Sequence, residues 1–133
     1  MLVRRLIDAP TEGFHRLSLR LLMDAGAMGS RNLSITWIEV PPGVEQPLLS
    51  HDQAEQAYLV IGGSGRMEVA GDVETLSQGD LVLVPPSTDH LIANDGDEPF
   101  VCASIQSPPV SFDELYREEE LAAGAAGYDF DED

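Results

Sequence analysis

Apolar and polar residues alternate in short runs along most of this chain. Residues 16–23 (RLSLRLLM) carry leucine at every second position, which is the period of a strand with one buried face. Similar apolar runs separated by turn-forming Gly, Pro, Asn and Asp occupy residues 32–40, 56–61, 66–70, 73–76, 81–84, 90–94 and 100–106. Short strands with regular turn signals and no interleaved helical pattern predict an all-β sandwich or barrel.

The C-terminal segment has a different pattern. After Pro108 and Pro109, Ser111 and Glu114 have the spacing of a capping box at the start of a helix. The helix is expected to end near Gly124, with an apolar stripe formed by Leu115, Tyr116 and Leu121. The last residues show no periodicity and end in acid, so we expect a mobile tail.

The length of 133 residues suits a single domain. We expect a β-barrel over residues 1–110, including an N-terminal strand extension, and a helix with an acidic tail over residues 111–133. No apolar run approaches the roughly 20 residues that a membrane-spanning helix needs, and no secretory signal is visible. A cytoplasmic location without a membrane partner is therefore the default expectation.

The chain is strongly acidic, since 24 acidic and 7 basic residues give a formal net charge of −17. All basic residues are arginine, which excludes Schiff-base chemistry through lysine and a P-loop lysine. Nucleic acid is not an expected partner, because its binding depends on cationic side chains that neutralise phosphates. Self-repulsion that favours solubility is the simplest interpretation of the acidity, with adaptation to high salt and metal storage as alternatives.

Two of the three histidines lie in strand-like stretches and define the candidate chemistry. Glu55 follows His51 by four residues, and His90 belongs to a separate strand. Residues an even number apart share a face of a strand, so His51 and Glu55 share one if the chain is extended there. Two imidazoles and a carboxylate can bind Fe, Mn, Ni or Zn and leave one side of the ion open. By spacing alone, a hydrogen-bonded surface pair is the simpler interpretation of His51 and Glu55.

The stretch from residue 43 to residue 62 resembles the first motif of the cupins, which are small barrels of the double-stranded β-helix (jelly-roll) type. That motif is glycine, five residues, His-x-His, three or four residues, glutamate, six residues and glycine. Its positions are occupied here by Gly43, Leu49, His51, Glu55 and Gly62. One ligand position therefore departs from the motif, because leucine replaces the first histidine.

The stretch from residue 79 to residue 94 is similar to the second cupin motif. That motif is glycine, five residues, Pro-x-Gly, two residues, histidine, three residues and asparagine. Its positions are occupied here by Gly79, Pro85, Ser87, His90 and Asn94, with serine in place of the middle glycine. The resemblance implies a cupin barrel whose motif core spans residues 43–94.

The resemblance also implies a divalent transition metal, because metal-binding cupins usually coordinate their ion through three histidines and the glutamate. Leu49 cannot coordinate a metal, so the implied ligands are His51, Glu55 and His90. One function that fits is a metal-dependent dioxygenase or isomerase acting on a small polar organic molecule. The other is a non-catalytic, metal-free barrel that binds or senses such a molecule. No catalytic residue is assigned.

Apolar side chains are expected to line the ligand pocket, although core packing explains each of them as well. These residues are Trp37, Leu49, Tyr58, Met67, Phe100 and Cys102. Cys102 is the sole cysteine, which excludes an intrachain disulfide, and its apolar neighbours favour a buried side chain over a nucleophile. The resemblance also implies a homodimer.

Overall fold

The structure is a computed structural model that describes residues 1–116. Two short 3-10 turns lie at Leu6–Asp8 and Ala27–Gly29. The strands are β1 Thr11–Phe14, β2 Leu17–Met23, β3 Ser34–Val40, β4 Glu55–Gly62, β5 Ser64–Val69, β6 Asp72–Ser77, β7 Leu81–Val84, β8 His90–Ala93 and β9 Phe100–Ser107. The prediction of an all-β fold is confirmed.

The strands form two antiparallel sheets. One sheet has six strands in the order β1-β2-β3-β9-β4-β7, and the other has three in the order β6-β5-β8. The segment 43–51 pairs with the free side of β8 and extends the smaller sheet. In this pairing the Gln46 amide donates to the Ile92 carbonyl at 2.9 Å, and Leu49 and His90 exchange two amide hydrogen bonds at 2.8 and 2.9 Å. Pairing of distant strands, such as β3 with β9, produces the jelly-roll topology.

Side chains from both sheets point into one core. The strands β3 and β9 alternate buried and half-buried residues along nearly their whole length, because successive strand residues face opposite sides. Gly65 lets the Phe100 ring lie directly against β5, since a Cβ at position 65 would overlap that ring. The apolar part of the core includes Leu19, Ile38, Val60, Met67, Ile92 and Phe100.

A helix begins at residue 112, and its predicted capping box is confirmed. The Glu114 amide donates to Ser111 Oγ at 3.2 Å, and the Ser111 amide donates to Glu114 Oε1 at 3.3 Å. Leu115 and Tyr116 are buried in the core, so the first turn of the helix covers the barrel. The centroid of the Tyr116 ring lies 4.5 Å from that of Phe14.

The rest of the C-terminal prediction lies outside the described residues. This applies to Leu121, to the helix end near Gly124 and to the acidic tail. Within residues 1–116, no helix has the length and apolar character needed to cross a membrane.

Candidate functional site

The strand β8 and the neighbouring segment 43–51 place two histidines side by side inside the barrel. The exposed fraction is 0% for His90 and 4% for His51, and their ring centroids lie 5.7 Å apart. The backbone fixes this geometry, because Leu49 pairs with His90 and the Ser87 amide donates to the His51 carbonyl at 2.7 Å. The structure therefore brings together two of the three predicted metal ligands.

The His90 ring is oriented by one backbone contact. Its Nδ1 lies 3.0 Å from the Thr88 carbonyl oxygen. Since a carbonyl can only accept, Nδ1 must carry the proton, and Nε2 of the neutral ring carries a lone pair. Nε2 is buried and has no hydrogen-bond partner within residues 1–116. His90 thus presents a hydrogen-bond acceptor to the barrel interior.

Both imidazoles are uncharged near neutral pH. Burial lowers the pKa of His90 to about 4, although the hydrogen bond to Thr88 partly opposes this shift. Burial also lowers the pKa of His51 from its ordinary value of 6.5, and the charge of Asp52 acts in the opposite direction. Burial disfavours the charged form of each ring, so neither provides a positive charge at pH 7.

The predicted third ligand does not join the histidines. Glu55 is exposed at the start of β4, whereas the next residue, Gln56, is 2% exposed and faces the interior. The reason is the two-residue period of the strand, which sends Gln56 and Tyr58 inward and Glu55 outward. Gln56 Nε2 donates to Ser104 Oγ at 3.3 Å and to the Tyr58 hydroxyl at 3.5 Å.

A buried polar network on the large sheet extends to a tyrosine beside His90. Ser34 Oγ donates to Gln106 Oε1 at 2.7 Å, and Gln106 Nε2 donates to Ser104 Oγ at 2.5 Å. Ser104 Oγ also accepts from Gln56, so the network continues to Tyr58, whose ring centroid lies 5.9 Å from that of His90. This part of the interior is polar and consists of uncharged side chains.

Gln46 adds a further polar group from the segment 43–51. It is 0% exposed, and neither Nε2 nor Oε1 has a hydrogen-bond partner in the described part of the chain. The sequence analysis missed this residue and the network, because a single glutamine or serine in an apolar run does not stand out. The alternation of inward and outward residues along β9 could have identified Ser104 and Gln106, since both occupy inward positions.

The cupin domain model matches residues 36–106, which is more than half of the chain. This chain belongs to the cupin family. The resemblance drawn from the two sequence motifs is thereby confirmed. Leu49 and Ser87, which depart from those motifs, are therefore features of this particular cupin.

Similar proteins cover different parts of this cupin. An uncharacterized protein of Methanocaldococcus jannaschii is 31% identical over 75 residues, which span 56% of this chain and 60% of that protein. Gentisate 1,2 dioxygenase 1 of Aquipseudomonas alcaligenes is 35% identical over 60 residues, 45% of this chain and 17% of the dioxygenase. A solved structure described as a predicted oxalate decarboxylase of Thermotoga maritima has a TM-score of 0.73 at 18% identity, covering 80% of this chain and 98% of that chain. The last likeness supports the fold alone.

The first cupin motif can be placed on this chain in a second way. With four residues after His51, the acidic position falls on Gln56, and six residues later the final glycine falls on Gly63. Gly63 has a φ of +73° and lies against the Pro99 carbonyl, whereas Gly62 has neither property. The backbone therefore favours Gly63 as the motif glycine, and Gln56 as the residue that replaces the glutamate.

The residues of this site do not fit the metal centre that the family implies. Leu49 and Gln56 replace two of the four usual ligands, and the Glu55 carboxylate is exposed. Among residues 1–116, no group of three or more His, Cys, Asp or Glu side chains could hold a metal ion. The remaining donors are two neutral imidazoles in polar, uncharged surroundings.

Five of the six predicted pocket residues are buried in the core: Leu49, Tyr58, Met67, Phe100 and Cys102. Trp37 lies instead on the outer face of β3, half-buried, and its Nε1 donates to Glu39 Oε2 at 3.2 Å. The prediction that Trp37 lines the pocket is therefore wrong. Side chains alternate along β3, and the neighbours Thr36 and Ile38 take the inward positions. Burial raises the pKa of the Cys102 thiol to about 12, so this thiol is protonated at neutral pH.

Proposed function

We propose that this cupin binds a small polar organic molecule inside its barrel and needs no metal ion to do so. The observation that carries the proposal is Gln56, a neutral amide in the inward position where metal-binding cupins have glutamate. It donates to the hydroxyl of Tyr58, whose ring centroid lies 5.9 Å from that of His90. A few oriented polar groups among apolar walls are the usual form of a small-molecule site.

His90 and Tyr58 supply complementary hydrogen-bonding groups for such a ligand. The lone pair of His90 Nε2 accepts a proton donor, because Nδ1 holds the ring proton. Burial raises the pKa of the Tyr58 hydroxyl far above its ordinary value, so that hydroxyl keeps its proton and acts as a donor. We infer a binding or sensing role from this pair, because neither group is charged.

Metal and ligand content should be measured on one sample, purified without a metal-affinity tag or chelator. We expect only traces of Fe, Mn, Ni and Zn by elemental analysis, no stoichiometric uptake of these ions, and a small molecule retained in native mass spectrometry. His90→Ala should weaken binding of that molecule by about tenfold or more. His15→Ala is the matched control, since His15 lies exposed in the turn between β1 and β2.

A metal-dependent dioxygenase or isomerase is the second candidate, and the orientation of His90 favours it. Histidines that bind metals usually donate their other ring nitrogen to a carbonyl or carboxylate, as His90 does to Thr88. In that case His51 and His90 would hold the ion, which would polarise a bound substrate. One equivalent of metal, lost in both His51→Ala and His90→Ala, would replace the first proposal with this one.

We also propose a homodimer formed by the outer face of the six-stranded sheet. Outward residues of β3, β4, β7 and β9 form an apolar surface that includes Ile35, Trp37, Ala57, Leu59, Leu81, Leu83, Ala103 and Ile105. Leu81 is 63% and Leu83 is 56% exposed. Two copies of a chain of net charge −17 repel each other most where their carboxylates meet. This surface avoids most of that repulsion, because Glu39 and Glu55 lie only at its margins. A second copy is therefore the occupant that fits it.

A further inference from the structure

The barrel interior contains three polar atoms without partners among residues 1–116. They are Nε2 and Oε1 of Gln46 and Nε2 of His90. Both residues are 0% exposed, and a buried polar group without a hydrogen bond is costly. Native proteins rarely keep such groups without a protein, water or ligand partner, so these atoms are candidates for contact with a bound molecule.

The backbone places these atoms on one face of the small sheet. Gln46 lies opposite Ile92, because its amide donates to the Ile92 carbonyl at 2.9 Å. His90 precedes Ile92 by two residues and so shares its face of β8. Diagonal neighbours of this kind have Cα atoms about 7–8 Å apart, within reach of long side chains. One ligand can therefore contact both Gln46 and His90.

The surroundings of these atoms, within residues 1–116, contain no carboxylate and no arginine. The buried polar side chains within residues 1–116 are Ser34, Thr36, Gln46, His51, Gln56, His90, Asn94, Ser104 and Gln106, which include no acid and no arginine. The arginines at positions 4, 5, 16, 20, 31 and 66 are exposed or half-buried. Arg66 is held near the surface by ion pairs with Glu45, Glu68 and Asp95. An anion entering the barrel would lose its hydration and would find no arginine among the interior side chains of residues 1–116.

We propose that the bound molecule is uncharged and rich in hydroxyl groups, as in a polyol or a neutral sugar. This inference rests on the proposed function, because it names the ligand class of the same site. A hydroxyl both donates and accepts and can rotate. Ligand hydroxyls donate to His90 Nε2 and Gln46 Oε1, and a ligand oxygen accepts from Gln46 Nε2. A carboxylate has no proton to donate to His90 Nε2 or to Gln46 Oε1, and it is repelled by the chain's net charge of −17.

The test uses pairs of probes that differ by one carboxylate. Glucose with glucuronate and galactose with galacturonate, together with myo-inositol, are titrated into the full chain by calorimetry and by NMR of the side-chain amides. We expect at least one neutral probe to bind about tenfold or more tightly than its anionic partner. The difference should shrink as ionic strength rises, because salt screens the repulsion.

A variant of Gln46 distinguishes a binding role from a structural one. Gln46→Leu should abolish neutral-probe binding and raise the Tm of the ligand-free protein by about 2–8 °C, since it removes an unpaired buried amide. Gln53→Leu makes the same change at an exposed position and should alter neither measurement. A lower Tm in Gln46→Leu would assign this residue a purely structural role and overturn the inference.

The remaining outcomes separate the two proposals. Uronates that bind as tightly as the neutral sugars, with loss of binding in His90→Ala, would overturn the ligand class and keep the barrel as the binding site. Binding that survives both His90→Ala and Gln46→Leu would overturn the site itself. If no neutral probe binds, the hydroxyl-rich class is wrong, and the retained molecule in native mass spectrometry decides the proposed function independently.

Discussion

Burial and one backbone acceptor determine the chemical state of His90. The Thr88 carbonyl fixes its proton on Nδ1, and the absence of solvent lowers its pKa to about 4. His90 therefore offers the lone pair of Nε2 for recognition, but its burial has a cost, since protonation of the ring destabilises the fold. That cost is measurable as a dependence of stability on pH.

The pKa of His90 in the folded protein, about 4, lies below its ordinary value of 6.5. The unfolded chain binds more protons between these two values, so stability rises with pH across that window. The contribution of His90 should be complete above about pH 6.5 and should fall by about 3 kcal/mol as the pH drops to about 4. Urea unfolding of the wild type and His90→Gln measures this, because their stability difference should shrink at the acid end. An unchanged difference would contradict the assignment.

Individual residues of the site differ in how well the sequence predicts them. His51 and His90 could be paired in advance, because each occupies its position in one of two spaced motifs. The sequence assigned the acidic position to Glu55, although the first motif allows two spacings, and only the alternation of β4 shows that Gln56 is the inward residue. Gln46 carries no sequence signal, because its burial depends on tertiary pairing with β8.

Restoring two ligands should convert the barrel into a metal site if Gln56 occupies the acidic position. Leu49→His combined with Gln56→Glu places three histidines and a glutamate on inward positions, and we expect about one equivalent of a divalent metal per chain by elemental analysis. Leu49→His alone should bind metal much more weakly. Equal binding by the single and double variants would mean that Glu55 turns inward, as the sequence first suggested.

The turn between β4 and β5 depends on the left-handed conformation of one glycine. Gly62 ends β4, and Gly63 connects it to β5 with a positive φ while its backbone approaches Pro99. The sequence predicts a turn here from its three glycines. It does not reveal which glycine takes the left-handed conformation, because this depends on the neighbouring Pro99 backbone.

The two adjacent glycines provide a matched pair of variants. Gly63→Ala should lower the free energy of unfolding by about 1–3 kcal/mol, because a Cβ would meet the Pro99 carbonyl and the φ of +73° is unfavourable for alanine. Gly62→Ala meets no atom within 4 Å and should change stability by less than about 0.5 kcal/mol. Denaturant unfolding of both variants is the measurement. The reverse order would return the motif glycine to position 62.

At the scale of the whole molecule, two regions of the described part of the chain, residues 1–116, lack charged side chains. The barrel interior holds neutral polar groups, and the centre of the outer face of the large sheet is apolar, although the chain carries a net charge of −17. The barrel itself could be predicted, because regular turns and alternating strands are local signals. The apolar outer face could not be predicted, because it depends on which strands are neighbours. Leu59 pairs with Leu81 and Ala57 with Leu83, and the sequence alone does not reveal these pairs.

The uncharged outer face gives the final prediction. Leu83→Asp should convert a dimer into a monomer in analytical ultracentrifugation, because it places a carboxylate among apolar residues that face an equally acidic copy. Val73→Asp is the matched control, since Val73 on β6 is 53% exposed and Leu83 on β7 is 56% exposed. Higher salt should strengthen the wild-type dimer by screening the repulsion between the two chains. A wild-type monomer at all concentrations, or a dimer that Val73→Asp disrupts and Leu83→Asp does not, would exclude the six-stranded sheet as the interface.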